Sequence, residues 1–148
     1  MRLRNGRNGD LIKIVREVSL RDGRPISYTH FGIYVDEADG GHVIHYSGHG
    51  DFKGTVLETP LEKFLQGSKR CSRVRDFSKF SHVYSGEETV ERARASIGQG
   101  MYDLLMNNCE TFAYWCKTGE SYASQTELLD PIKFVGDGIA NILIKFLR

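Results

Sequence analysis

Cysteine is scarce in this sequence, with three thiols, Cys71, Cys109 and Cys116, among 148 residues. So odd and sparse a set excludes a disulfide framework and lacks the paired cysteines of a zinc site, so reduced thiols are expected. Cys109 and Cys116 share a face of any helix that holds both, but two turns of axis separate them and exclude a bond within it. Charge of one sign is missing as well. Twenty basic residues stand against 19 acidic ones, a net charge of +1, and without a global field no nucleic-acid partner is expected. Long apolar runs are absent: nothing approaches the roughly 20 residues that span a bilayer. The basic stretch 1–8 lacks the apolar core of a signal peptide, and an intracellular, cytoplasmic chain is expected. There is no internal repeat, no low-complexity segment and no Pro-, Gly- or Ser-rich linker that would separate the chain into domains.

What the sequence does contain is an ordinary globular balance, 40% hydrophobic and 26% charged residues, in a chain long enough for one core. Asp10-Leu-Ile-Lys-Ile-Val-Arg16 is rich in branched residues and predicts a first strand; Arg21-Asp-Gly-Arg-Pro25 reads as a turn. His30-Phe-Gly-Ile-Tyr-Val35 and His42-Val-Ile-His-Tyr46, with Asp36-Glu-Ala-Asp-Gly-Gly41 between them, predict a hairpin. Periodicity is weak over 47–80, where Val56-Leu57 suggests a short strand and Pro60-Leu-Glu-Lys-Phe-Leu65 a helical turn. Ser85 with Glu88 three positions later forms a capping-box pattern ahead of a helix over about 87–98. Asn107-Asn108 can cap a further helix that carries Cys109, Phe112, Ala113 and Cys116 and stops at Gly119. From Pro131 the residues Ile132, Val135, Ile139, Ile142, Leu143 and Phe146 recur at helical spacing. They predict an amphipathic segment over 131–148, docked on the core or lying at a membrane interface.

Chemistry concentrates at Cys109. A helix start offers unpaired N–H groups and the positive end of the macrodipole, which lower a thiol pKa and can face the oxygen of an attacked carbonyl. His30 begins one hairpin strand and His45 lies near the end of its neighbour, so the two imidazoles can meet on one face. That allows a Cys–His–His triad in which His30 takes the thiol proton and later protonates the leaving group, while His45 fixes the tautomer of His30. His42 falls on the opposite face by alternation and His49 in a Gly-rich turn, so both are expected to face solvent. No metal or cofactor is expected, because the histidines lack ligand spacing and a companion cysteine cluster. Cys71 reads as a loop thiol whose basic neighbours favour the thiolate, and Tyr114 and Trp115 read as core aromatics.

The blocks Tyr28-Thr-His-Phe-Gly-Ile-Tyr-Val35, Val43-Ile-His-Tyr46, Glu87-Glu-Thr-Val-Glu-Arg-Ala93 and Asn107-Asn-Cys-Glu-Thr-Phe112 closely resemble the lecithin:retinol acyltransferase-like superfamily, in order over about residues 9–119. That superfamily includes the H-Ras-like suppressor phospholipase/acyltransferases and H-box/NC proteins. The resemblance implies an α+β fold, a circularly permuted form of the NlpC-type papain fold, with an antiparallel sheet against helices and the nucleophile at a helix N-terminus. It implies a domain over 1–130 with catalytic His30, His45 and Cys109, and Tyr28 beside the site as an oxyanion donor. Thr111 stands where the commonest NC box has a histidine that is not the family's base. The tail is shorter and more charged than the membrane anchor of many members.

The expected activity is that of a thiol acyltransferase or phospholipase on a phospholipid or other acyl ester, with peripheral membrane contact through the C-terminal segment. An interaction module without catalysis, and a peptidase or amidase on the same scaffold, are the alternatives.

Overall fold

The branched residues after Asp10 form the first strand of an antiparallel sheet in a computed structural model of the chain, which describes residues 1–19, 22–47, 54–68, 70–99 and 108–122. The strands are β1 (Leu11–Ser19), β2 (Pro25–Glu37), β3 (Gly40–Ser47), β4 (Thr55–Pro60) and β5 (Cys71–Arg73), and they lie in the order β4-β3-β2-β1-β5. Three helices accompany them: α1 (Leu61–Leu65), α2 (Gly86–Ala95) and α3 (Asn108–Thr118). The architecture is therefore α+β. The hairpin pairs Ile33 with Ile44 and Glu37 with Gly40, and β1 pairs along β2 from Leu11 opposite Ile33 to Ser19 opposite Pro25.

Two local outcomes differ from the sequence reading. Pro25, expected in a turn, opens β2, where a missing N–H costs the ladder least. Cys71, expected in a loop, starts the short edge strand β5 opposite Ile14. At α2 the capping box forms as its residues require: the Glu88 N–H donates to Ser85 Oγ at 3.1 Å and the Ser85 N–H to Glu88 Oε1 at 3.4 Å.

Period-two alternation gives the sheet two buried faces. Phe31, Ile33 and Val35 of β2, with Ile44, Tyr46 and Val56, pack against Val90 and Ala93 of α2 and Phe112, Ala113 and Cys116 of α3. Ile12, Ile14, Tyr34 and Val43 face the other way, against Leu61 and Phe64 of the short helix α1. Phe64 can lie flat there because β2 carries glycine at position 32: a Cβ on Gly32 would stand 2.4 Å from Val43 Cγ1 and 3.1 Å from the Phe64 ring.

Tyr114 is buried, whereas Trp115 is 37% exposed and lies under the Arg92 guanidinium, 3.9 Å from the ring. It is not a core residue, because the guanidinium and not a second layer covers it. His49, residues 101–107 and the amphipathic segment 131–148 lie outside the described residues. Among the described residues no helix is long and apolar enough to cross a membrane.

The seat at position 32 yields a direct test. Gly32→Ala is expected to lower stability by about 1–3 kcal/mol through overpacking, read as a fall in the urea midpoint at constant slope.

Candidate active site

Strand β2 presents His30 on the face that holds Phe64, and β3 presents His45 on the same face. Each ring is 4% exposed, and each lies against Phe64, with centroids 5.3 and 5.1 Å away. The two imidazoles meet edge to face, and His30 Nε2 lies 3.0 Å from His45 Nδ1. His45 Nε2 is 3.2 Å from Thr59 Oγ1 on β4, so a hydrogen-bonded row runs from Thr59 through His45 to His30. If the Thr59 hydroxyl accepts from His45, then His45 Nδ1 accepts from His30 Nε2–H, and the basic nitrogen of His30 is Nδ1.

Cys109 belongs to the cluster on the opposite face, as the second residue of α3. The backbone of β2 explains how it still reaches the strand that carries His30. Even-numbered residues of β2 turn their backbone groups to the β1 side, as the Tyr34 N–H does to Asp10 O at 2.8 Å, so odd-numbered ones turn theirs to β3. The β2–β3 register runs only from Glu37 and Gly40 to Ile33 and Ile44, so Thr29 and Phe31 lie beyond its end. The sulfur of Cys109 occupies that gap. Its thiol donates to Thr29 O at 3.8 Å. Cys109 thus contacts the backbone of Thr29, the residue that precedes His30.

The helix-start argument predicts a lowered thiol pKa, and the structure overturns it. Burial of the sulfur, 6% exposed, pushes the Cys109 pKa up to about 11; the Phe31 N–H opposes this, Glu110 adds to it, and the Glu110 N–H and Arg16 oppose it further. Desolvation of the charged form outweighs the dipole here, and the resting group is a neutral thiol. Tyr28 is half-buried, with its pKa also raised, first by burial, against the pull of Arg16.

Three residues of this neighbourhood escaped the sequence reading. Phe64 is the ring both imidazoles share, and Thr59 ends their hydrogen-bond row; neither carries a signal in sequence that separates it from ordinary core. Arg16 does carry one, because it follows Ile12 and Ile14 on the buried face of β1. It is 8% exposed, its Nη2 donates to Phe64 O at 2.8 Å, and it lies opposite Tyr28 in the β1–β2 register.

The remaining candidates lie away from the site. His42, expected to face solvent, is half-buried and bridges Glu58 at 2.9 Å and Asp39 at 3.1 Å, and its hydrogen bond to the Glu58 carboxylate raises its pKa. Cys71 has its pKa pushed up to about 11 by burial, so its basic neighbours do not make it a thiolate.

A family model described as lecithin retinol acyltransferase matches residues 4–122. The chain is 27% identical over 122 residues to lecithin retinol acyltransferase of Rattus norvegicus, covering 68% of this chain and 53% of that protein. It is 27% identical over 131 residues to the protein of that name from Mus musculus, covering 73% and 57%. The chain spans about half the length of these curated relatives.

A neutral resting thiol has a kinetic signature. Alkylation of Cys109 by iodoacetamide, followed peptide by peptide, is expected to rise about tenfold per pH unit from pH 7 to 10 without levelling. A plateau near neutral pH would show a stored thiolate and contradict the burial argument.

Proposed function

The chain belongs to the lecithin retinol acyltransferase family, and from that premise we propose that it is a thiol-dependent acyltransferase or phospholipase that carries an acyl group on Cys109. The observation that supports this most is the His30–His45 pair at 3.0 Å, with the Cys109 thiol on the carbonyl of Thr29, the residue before His30 on β2. A circularly permuted NlpC-type arrangement accords with the chain order, in which both histidine strands precede the cysteine helix.

In the proposed reaction Cys109 Sγ attacks the carbonyl carbon of a phospholipid ester while its proton passes to Nδ1 of His30. His45 accepts the hydrogen bond from His30 Nε2 and steadies the imidazolium. The carbonyl oxygen becomes an oxyanion, for which Tyr28 is the proposed donor. Collapse expels the alcohol portion, which takes the proton from His30 and leaves a thioester on Cys109. Water, or an acceptor alcohol or amine, then attacks the thioester; its proton goes to His30 and on to the departing sulfur, and the acyl group leaves as acid, ester or amide. Because the thiol starts neutral, base and nucleophile must act in one step, which makes His30 indispensable. The amphipathic stripe of 131–148 is the proposed peripheral contact with the lipid surface.

Burial of the sulfur favours one competing reading, an interaction module without catalysis, since a packed cysteine is an ordinary small hydrophobe. The two readings separate on phosphatidylcholine vesicles. Wild-type protein is expected to release lysophospholipid or hold one acyl mass on Cys109, Cys109→Ala to do neither, and His30→Gln to be slower by about 10²–10⁴-fold. No adduct and no release from the wild type would sink the lipid reading. Cleavage of peptide amides instead would move the same site to an amidase.

A further inference from the structure

By alternation His42 shares with Ile44 and Tyr46 the face of β3 that looks toward α2, away from the row of His45 and His30. Both of its ring nitrogens meet a carboxylate: Nδ1 lies 2.9 Å from Glu58 Oε2, and Nε2 lies 3.1 Å from Asp39 Oδ1. A neutral imidazole has one N–H and one lone pair, so it would donate to one carboxylate and turn the lone pair on the other. Imidazolium donates to both, and the geometry is that of the charged ring. The side chains of His42 and Glu58 are 24% and 21% exposed, which spares their contact part of the screening that weakens surface pairs.

The pair belongs to a larger circuit. The other oxygen of Glu58 meets Arg94 Nε at 3.3 Å, and Arg94 Nη2 meets Glu37 Oε1. Charges thus alternate in sign along Asp39, His42, Glu58, Arg94 and Glu37. The circuit leaves the β2–β3 turn at Asp39, crosses β3, β4 and the last turn of α2, and returns at Glu37, the end of β2. From α1 the Glu62 carboxylate feels the His42 charge and pairs with the Met1 amine at 3.0 Å. With its proton in place His42 joins Arg94 in facing three carboxylates, Glu37, Asp39 and Glu58; without it Arg94 faces them alone. Both elements tied to the hairpin hold parts of the candidate site. Glu58 immediately precedes Thr59, whose hydroxyl meets His45, and α2 carries Arg92, whose Nε and Nη2 donate to the carbonyls of Cys116 and Trp115 on the helix of Cys109.

We propose that His42 is a proton-operated clasp: its imidazolium closes the circuit of charges that ties the β2–β3 turn to β4 and α2, and loss of that proton opens it. The clasp needs no substrate and stands apart from the acyl-transfer reading. The hydrogen bond to Glu58, with Asp39 adding to it, raises the His42 pKa above the ordinary 6.5. Its contribution to stability is therefore complete below pH 6.5 and is lost as the pH rises through the folded value.

The test uses the full chain with His42→Gln, Glu58→Gln and the double variant. In the wild type the His42 ring, assigned by NMR through its own backbone, is expected to titrate with a midpoint above 6.5, and Glu58→Gln to bring that midpoint down. The urea midpoint of the wild type is expected to exceed that of His42→Gln at pH 6, and the two to converge at pH 9.5. The coupling between positions 42 and 58 in the double-variant cycle is expected at pH 6 and absent at pH 9.5. At pH 6, amide exchange around the β2–β3 turn and in the last turn of α2 is expected to be about two- to fivefold faster in His42→Gln than in the wild type, with β1 unchanged.

A wild-type His42 midpoint at or below 6.5, or a stability gap between the wild type and His42→Gln that stays constant from pH 6 to 9.5, overturns the clasp. Should His42→Gln fail to fold, Glu58→Gln decides, since it keeps the imidazole: a lowered His42 midpoint supports the clasp, and an unmoved one overturns it.

Discussion

Backbone groups of β2 beyond Ile33 need new partners once the ladder to β3 stops at Ile44, and Cys109 meets that need. An unpaired N–H or C=O in the interior costs about 1–3 kcal/mol, so the sulfur is held there by the sheet's own hydrogen-bonding requirement. The same early end of the ladder lets two faces communicate. His30 and His45 rest on the Phe64 side, Cys109 belongs to the α2–α3 side, and the gap beside Thr29 and Phe31 is where they adjoin. A ladder continued by two more residues would seal the sulfur off from the strand that carries His30.

Burial sets the character of the chemistry proposed for this gap. A thiol desolvated to a pKa of about 11 is a poor nucleophile until a base removes its proton in the act of attack. The row Thr59–His45–His30 serves that demand by fixing one ring nitrogen, so that the other can be the base. The row rests on Phe64, whose ring lies against both imidazoles and whose carbonyl accepts from Arg16. Phe64 in turn depends on the absence of a side chain at Gly32.

Much of this is legible in local pattern. The branched run after Asp10, the two histidine strands and the Ser85–Glu88 box each encode their element through nearest-neighbour physics, and each forms within a few residues of the expected bounds. Local pattern misleads where a distant partner decides. Turn preference misplaces Pro25 because β1 extends to meet it, and charged neighbours misplace Cys71 because Ile14 draws it into an edge strand. For His42, alternation gives the face but not the acidic residues waiting there on β4 and in the turn.

The sequence by itself determined the α+β class and the family and named the candidate groups Cys109, His30 and His45, because periodicity, capping and short motifs are local and survive without coordinates. Only the tertiary structure decided the burial that raises the Cys109 pKa, the bond from Arg16 to Phe64 O and the packing of Phe64 against both imidazoles. Those depend on desolvation and on distances between residues far apart in the chain, quantities that packing creates and no spacing along the sequence contains.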